Sequence, residues 1–297
     1  MNFTAARARI LAVDDQEINL MVLERLLTPT EAGIVTATGG QEMLDLLKKE
    51  KFDLILLDHV MPPPDGLEAF RMARSMEGNL NLDTPFVALT GNDMRSEGAD
   101  PSLPPREATR AYYKGEGFAD YLPKPVLPED MERVLLDLLP ADKVTRTGQS
   151  APAGNPAPES APAPRKGGLF ARIQEMEGKG NAAAPAGPLD SAHGLTFSGG
   201  DKEMYRQLLK NWADAYMENG YTLQRSAKEG DLNAHRIAAH SLKSSSRMVG
   251  AMTLGDLSEK AEHAARDGDL EYVREHVPEL LEAYGKAVEA ASDYLAN

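Results

Sequence analysis

Four short motifs carry side chains suited to handling a phosphoryl group. Asp14 and Asp15 follow the apolar run RILAV, Asp58 follows FDLILL, Thr90 follows FVAL, and Lys124 follows a short run at Tyr121 and Leu122. Three carboxylates brought together would repel one another unless a cation sat among them. Hard oxygen donors without Cys or His suit Mg²⁺, which takes a few carboxylates together with water and phosphate oxygens. A hydroxyl at Thr90 and an ammonium at Lys124 would neutralise the outer oxygens of a phosphoryl group in transfer. Any one Asp reads as a solvated loop residue; the ordered set is what argues for a site.

The elements that must position these residues are legible around them. Apolar runs at 9–13, 34–38, 52–57, 86–89 and 121–122 read as strands. Helical patterns at 18–27, 41–49, 67–76 and roughly 105–116 fall between them, and one at 129–139 closes the segment. This alternation predicts an α/β, doubly wound, five-stranded parallel sheet built from right-handed crossovers. Ligands of such sheets bind beyond the carboxyl ends of the strands. Each of the four motifs falls there.

DD after the first strand, DHVMPPPDG after the third, LTG after the fourth and KP after the fifth resemble the receiver domain of two-component response regulators. The resemblance covers about residues 7–140. It implies that Asp58 forms an aspartyl phosphate. It also implies that Asp14, Asp15 and Asp58 hold Mg²⁺ with the backbone carbonyl of Val60, and that Thr90 and Lys124 contact the phosphoryl oxygens. Tyr121 matches the aromatic position that reorients on activation. His59, beside Asp58, reads as a variable residue lining the cleft. Two features depart from the family. Lys124 lies 34 positions after Thr90, a longer span than the family usually has. The extra residues read as an enlarged loop before the fourth helix, in the family's output region. Three consecutive prolines at 62–64 stiffen the loop after Asp58.

Residues 141–188 are dominated by Ala, Pro and Gly and read as a linker with extended polyproline character. Within it, LFARIQEME at 169–177 is an amphipathic stretch that either docks on a domain or does nothing. Residues 189–297 are helical throughout, with patterns at 202–218, 221–229, 232–250, 254–267 and 270–295. Gly220, Gly230, Gly250 and Gly268 separate them. This predicts an all-α four-helix bundle.

The helix at 232–250 carries a second candidate site. At about 100° per residue, Ile237, Met248, Ala234, Met252, Ala238, Val249 and Leu242 form an apolar stripe. Arg236, Lys243, Arg247 and Ser244 lie opposite and surround His240. His240 is therefore expected to project to solvent in a cationic ring, suited to a phosphoimidazole and to an acidic partner cleft. Ser241 and Ser245 fall toward the buried side. AHSLKS with Gly250 ten residues after His240, preceded by GLTFSGGDKEMYRQLLKNWADAY, resembles the histidine phosphotransfer (HPt) domain. That resemblance implies His240 as the phosphorylated histidine and Lys243 as its phosphate-supporting neighbour. Ser244 stands where the family usually has Gly. His193, His235, His263 and His276 are expected at the surface.

The net charge of −14 argues against nucleic-acid binding. The absence of Cys excludes disulfides and thiolate chemistry and suits a cytoplasmic protein. No apolar run approaches the ~20 residues of a membrane span, so no membrane insertion is expected. The N-terminal MNFTAARARILAVDD lacks the apolar core of a signal peptide. No Gly-rich nucleotide lid is present, so ATP-dependent kinase activity of the chain's own is not expected. The sequence thus reads as a phosphorelay intermediate. A sensor histidine kinase supplies phosphate to Asp58, and His240 exchanges it with Asp58 or with other receiver domains. The alternative is a signalling adaptor whose receiver switches partner docking while His240 stays unphosphorylated.

Overall fold

The computed structural model describes residues 1–91, 104–124, 126–146 and 187–296. The first unit contains β1 (Phe3–Thr4), β2 (Arg9–Val13), α1 (Glu17–Leu27), β3 (Gly33–Ala37), α2 (Gly40–Lys49), β4 (Leu54–Asp58) and α3 (Gly66–Ser75). It continues with β5 (Phe86–Thr90), α4 (Pro105–Glu116), β6 (Asp120–Pro123), α5 (Pro128–Leu138) and β7 (Thr145–Arg146). Five strands form one parallel sheet in the order β3-β2-β4-β5-β6. The expected doubly wound sheet is therefore present.

The central strands are almost continuously apolar because helices cover both faces of the sheet. Every residue of β4 and β5 is buried. Side chains alternate between two cores, as the two-residue period requires. Leu11, Ile55, Leu57 and Phe86 pack with Met43 and Leu47 of α2, Phe70 of α3 and Tyr113 of α4. Ile10, Leu54, Leu56 and Val87 pack with Leu20 and Leu23 of α1 and with Met131 and Val134 of α5. Phe3 and Thr4 of β1 pair antiparallel with Arg146 and Thr145 of β7. This small ribbon carries the unit's paired strands out to residues 3 and 146.

The turn from β4 into α3 explains the DG that closes DHVMPPPDG. Asp65 caps α3 by accepting from the Glu68 N–H, and the Glu68 carboxylate accepts from the Asp65 N–H. This reciprocal cap satisfies two orphan donors of the first turn. Gly66 then lets α3 return against the end of β4. A Cβ there would lie 2.0 Å from the Asp58 carbonyl oxygen.

The C-terminal unit consists of α6 (Ser191–Phe197), α7 (Lys202–Asp214), α8 (Tyr216–Glu229), α9 (Leu232–Val249), α10 (Met252–Arg266) and α11 (Leu270–Ala296). α9 packs against α7, α8 and α10, and α11 closes the bundle against the same three helices. The break expected at Gly220 occurs instead at Ala215, between α7 and α8. The bend there lets Trp212 and Tyr216 approach the Tyr284 ring from two helices, with centroids 5.2 and 4.9 Å away. Packing of these three aromatic rings, two of them buried, outweighs the small penalty of Gly220 inside α8. The amphipathic stretch at 169–177 and most of the extra residues after Thr90 lie outside the described residues. Among the described residues no helix is long and apolar enough to cross a membrane.

Gly66→Ala should destabilise the chain by about 1–3 kcal/mol, the usual cost of forcing atoms into a packed site. Urea unfolding monitored by circular dichroism reads this directly; an unchanged midpoint would contradict the tight approach of α3 to Asp58.

Candidate functional site

The sheet edge brings the four sequence motifs together. Asp58 is the last residue of β4 and Thr90 the last of β5, while Asp14 follows β2 and Lys124 follows β6. Backbone hydrogen bonds fix their relative height. The Asp14 N–H donates to Ala37 O (3.1 Å), the His59 N–H to Leu89 O (3.0 Å), and the Lys124 N–H to Thr90 O (2.6 Å).

Lys124 Nζ lies 2.6 Å from Asp14 Oδ2 and 2.8 Å from Asp58 Oδ2. Asp14 Oδ1 accepts from the Gln16 N–H (3.0 Å) and from Asn19 Nδ2 (2.8 Å). One carboxylate oxygen each from Asp14, Asp15 and Asp58 lie within 4.8 Å of one another. Asp14 is fully buried and Asp58 is 1% exposed. Burial pushes the Asp58 carboxyl well above the usual range; Lys124 opposes that shift, while Asp14 and Asp15 reinforce it. Burial, then the charge of Asp14, pushes Asp15 up to about 6. Burial disfavours the Lys124 ammonium, but Asp14 and Asp58 hold it above its ordinary value. Asp15 Oδ1 and Asp58 Oδ1 are buried without a hydrogen-bond partner. Three carboxylates against one ammonium, with two orphaned acceptor oxygens, fit a hard divalent cation.

Thr90 is 4% exposed, and its hydroxyl donates to the Gly91 carbonyl at 3.0 Å. Tyr121 is buried, with its phenol donating to the Arg106 carbonyl at 3.0 Å. Tyr113 of α4 stacks on Tyr121 at 6.2 Å between centroids. The Tyr113 hydroxyl also meets His59 Nδ1 at 2.6 Å, so the residue after Asp58 is tied to α4.

The helical unit sits on this same edge. Ile18 and Val22 of α1 join the hydrophobic cluster that contains Leu208, Trp212 and Leu242. Asn211 Nδ2 lies 3.1 Å from Met21 Sδ, and Arg25 pairs with Asp201 at 3.4 Å. Ser241 Oγ donates to Asp15 Oδ2 at 3.2 Å, linking α9 directly to the acid cluster. The His240 ring lies against Gly91, where a Cβ would come 3.1 Å from ring carbon Cε1 and 3.8 Å from Nε2. Lys243 Nζ would lie 3.4 Å from that Cβ.

His240 is therefore not projected into solvent. It is 4% exposed, and Lys243 is 3% exposed. The apolar stripe read from α9 is one face that meets different neighbours along its length. Leu242, Val249 and Met248 belong to the bundle's hydrophobic cluster, whereas Ala234, Ile237 and Ala238 line a cavity of about 650 Å³ shared with Asp15, Ile18 and Pro62. His240 lies off that stripe and is covered separately, by Glu262 of α10 at Nδ1 and by Gly91 of the receiver against the ring. The expected cationic ring is also largely answered by acids. Lys243 Nζ pairs with Glu262 Oε2 at 2.7 Å, and Arg247 pairs with Asp256 and Glu259, each at 2.9 Å. His235, expected at the surface, is fully buried, with Nδ1 3.0 Å from Ser226 Oγ. It sits on the α9 face turned to α8.

Glu262 of α10 is the site residue that motif reading missed. Its Oε1 lies 2.7 Å from His240 Nδ1. Burial pushes Glu262 up, but the His240 hydrogen bond and the neighbouring positive charge bring it down to about 2. Burial lowers His240 below the ordinary imidazole value, against the opposing pull of Glu262. Burial, the larger influence, thus favours the neutral imidazole. His240 Nε2 is buried and has no hydrogen-bond partner. A signal for Glu262 did exist. It falls in helical phase with the buried Leu254, Gly255 and Ser258, where an acid is out of place.

Comparison with known proteins divides the chain in the same way. Residues 10–135 match the family model of the response regulator receiver domain, and residues 204–291 match that of the Hpt domain. The sensor protein GacS of Pseudomonas syringae is 26% identical over 283 residues, covering 94% of this chain and 26% of GacS. The signal transduction histidine-protein kinase BarA of Shigella flexneri is 23% identical, covering 92% of this chain and 25% of BarA. The chain spans about a quarter of the length of these relatives. Among solved structures, the magnesium-bound receiver domain of a Pseudomonas aeruginosa sensor histidine kinase is 26% identical, covering 44% of this chain and 96% of its own, with a TM-score of 0.37.

Trp212 is the chain's single tryptophan and is 3% exposed. Ile18→Asp should loosen the contact of α1 with α7, red-shifting Trp212 emission and increasing its quenching by acrylamide. An unchanged spectrum would mean that α1 does not cover this face in solution.

Proposed function

This chain joins a receiver domain to an Hpt domain, and on that premise we propose that it is a phosphorelay intermediate in which Asp58 and His240 exchange a phosphoryl group within one molecule. The observation that carries the reading is the placement of His240. Its unpartnered Nε2 is buried against Gly91, one residue beyond Thr90, while neighbouring Ser241 bonds Asp15 of the acid cluster. This placement brings a nucleophile to the same covered edge as the acceptor carboxylate, which supports transfer within one molecule.

Each residue then has a role. Asp58 takes the phosphoryl group. Asp14, Asp15 and Asp58, with the Val60 carbonyl, hold Mg²⁺, supported by the orphaned oxygens of Asp15 and Asp58. The metal supplies charge neutralisation of the phosphoryl oxygens. Thr90 donates its hydroxyl to one of those oxygens, giving up its bond to the Gly91 carbonyl. Lys124, already paired with Asp58, places its ammonium on another. Lys243 supports the phosphoryl group on the His240 side of the interface. Tyr121 is the aromatic residue that follows the state of Asp58.

The relatives are sensor kinases several times longer than this chain. We therefore assign phosphate supply to a sensor histidine kinase, and onward exchange through His240 to other receiver domains, in the cytoplasm. The linker, read at 141–188 but preceded by the pairing of β7 with β1 as far as Arg146, keeps the two units at a raised effective concentration.

Charging the full chain with radiolabelled acetyl phosphate and Mg²⁺ tests the internal order. Acyl phosphate is lost in base and phosphohistidine in acid, so the two labels separate. Asp58→Asn should remove both labels, and His240→Gln only the base-stable one. Transfer to His240 should be first order and independent of protein concentration. Undiminished base-stable label in Asp58→Asn would overturn the Asp58-to-His240 route.

The raised Asp15 carboxyl adds a pH test. Below about pH 6 Asp15 carries a proton in the metal-free site, and Mg²⁺ must displace it. Mg²⁺ affinity should therefore rise as pH increases through about 6. Calorimetric titrations in buffers of different ionisation enthalpy should detect more proton release at pH 6 than at pH 8, and the difference should shrink in Asp15→Asn. Equal affinity at both values would contradict the assignment of Asp15 as a ligand.

A further inference from the structure

We propose that Ser241 of the helical unit is a positioning residue of the receiver's metal site: by donating to Asp15 across the interface it orients that carboxylate for Mg²⁺, so that docking of the two units and Mg²⁺ binding strengthen each other. The inference rests on the assignment of Asp15 as a Mg²⁺ ligand in the proposed function, and it deepens that assignment. None of the receiver motifs contains this donor; it reaches the site from 226 positions further along the chain.

Ser241 Oγ donates to Asp15 Oδ2 at 3.2 Å. A serine inside a helix often returns its one proton to the carbonyl a turn earlier. Ser245 of the same helix does so, to Ser241 O, as do Ser258 of α10 to Leu254 O and Ser292 of α11 to Val288 O. The Ser241 hydroxyl is directed across the interface instead, and the residue is buried there. On the receiver side, Asp15 Oδ2 accepts this bond and a longer one from Gln16 Nε2 at 3.4 Å. Asp15 Oδ1 is buried without a partner. The two oxygens thus have different surroundings: donors hold one, and the other keeps its lone pairs for a cation. Gln16 belongs to the same unit as Asp15 and stays beside it when the units part. Ser241 is the donor that depends on docking.

Two effects of docking on the metal site oppose each other. A hydrogen bond that orients a ligating carboxylate strengthens metal binding, and losing such a partner commonly weakens affinity by about 10–100-fold. Docking also carries the Lys243 ammonium toward the acids, which disfavours a second cation. Glu262 pairs with that ammonium at 2.7 Å and cancels most of its charge within the helical unit. The Ser241 hydroxyl is neutral, so it fixes Asp15 without adding a positive charge beside the metal. At 3.2 Å the bond is a long one, which points to the lower end of the range, about tenfold. Linkage then requires Mg²⁺ to favour the docked placement by the same factor. Loading the receiver with Mg²⁺ would therefore also hold His240 at its edge.

Calorimetric Mg²⁺ titrations of the full chain at pH 8, where Asp15 is ionised, test this. Ser241→Ala should weaken binding by about tenfold. Ser241→Thr keeps the hydroxyl, and the cavity of about 650 Å³ beside Ser241 has room for the added methyl, so it should restore the unsubstituted affinity. Ile18→Asn separates docking from the hydrogen bond. Ile18 packs in the hydrophobic cluster that α1 shares with the bundle, and a neutral polar side chain there loosens the interface without adding charge near the acids. It should weaken Mg²⁺ binding as far as Ser241→Ala does, and combining the two should weaken it no further. Three results would each overturn the role of Ser241 and leave the phosphorelay reading standing: equal affinity in the unsubstituted protein and Ser241→Ala, a loss that Ser241→Thr does not restore, or a full further loss when Ser241→Ala is added to Ile18→Asn. Absence of Mg²⁺ binding by the unsubstituted protein would instead overturn the metal assignment, and this proposal with it.

Discussion

Everything at this site depends on keeping two buried carboxylates and a half-buried third around one ammonium. At separations near 5 Å, each pair of like charges costs on the order of 3 kcal/mol at the effective dielectric of a partly buried site. Lys124 offsets part of that cost through its pairs with Asp14 and Asp58. The remainder appears as upward pressure on the Asp58 and Asp15 carboxyls and as two acceptor oxygens left without partners. Such an arrangement persists only if the backbone beneath it cannot relax. A parallel sheet covered on both faces supplies that rigidity, because a one-residue slip would turn every core side chain to the wrong face. The register pairs of Val13 with Leu57 and Asp58 with Leu89 thus set the electrostatics as well as the fold.

The same edge carries the constraint into the second unit. His240 lies between two buried cations, each matched by acids on its own unit: Lys124 by Asp14 and Asp58, Lys243 by Glu262. Because both cations are already paired, the ring meets a nearly balanced field, and desolvation becomes the dominant influence on its charge. A neutral imidazole is the form with a lone pair to offer. The strongly acidic composition of the chain is therefore a poor guide to the interface, where charges are matched locally.

Strand positions and the four receiver motifs were legible because each depends on local signals: a short apolar run, then a functional residue at its carboxyl end. The DG that closes DHVMPPPDG was seen only as part of a motif; the cap at Asp65 and the need for Gly66 follow from a backbone approach that no local pattern encodes. His240 was found by its motif, but its burial was not. A helical wheel treats one helix against one core, whereas α9 is covered on one side by the bundle and on another by the receiver. That second cover depends on contacts such as Ser241 with Asp15, separated by 226 positions in sequence. His235 was misplaced because a polar ring satisfied by Ser226 on another helix looks like a surface residue from sequence alone. Ala215 broke the helix where Gly220 was expected because aromatic packing on Tyr284 overrode a weak local preference.

The interface between the two units is built from modest parts. A few α1 side chains meet α7 and α9, and the Arg25–Asp201 pair is exposed enough to contribute no more than about 1 kcal/mol. Contacts of this kind do not need to hold the units together when the chain itself does so. They need only select one relative placement among those the tether permits. Under the proposed relay function, a weak, specific interface would suit a station that both gives and receives. His240 cannot be reached by a separate receiver while it is covered by its own, and Asp58 cannot be reached by a kinase histidine while α9 occupies the edge. In the proposed relay, exchange with partners would thus require opening, and exchange within the molecule would require closing. An interface much stronger than this one would favour internal transfer at the expense of every other step in a relay.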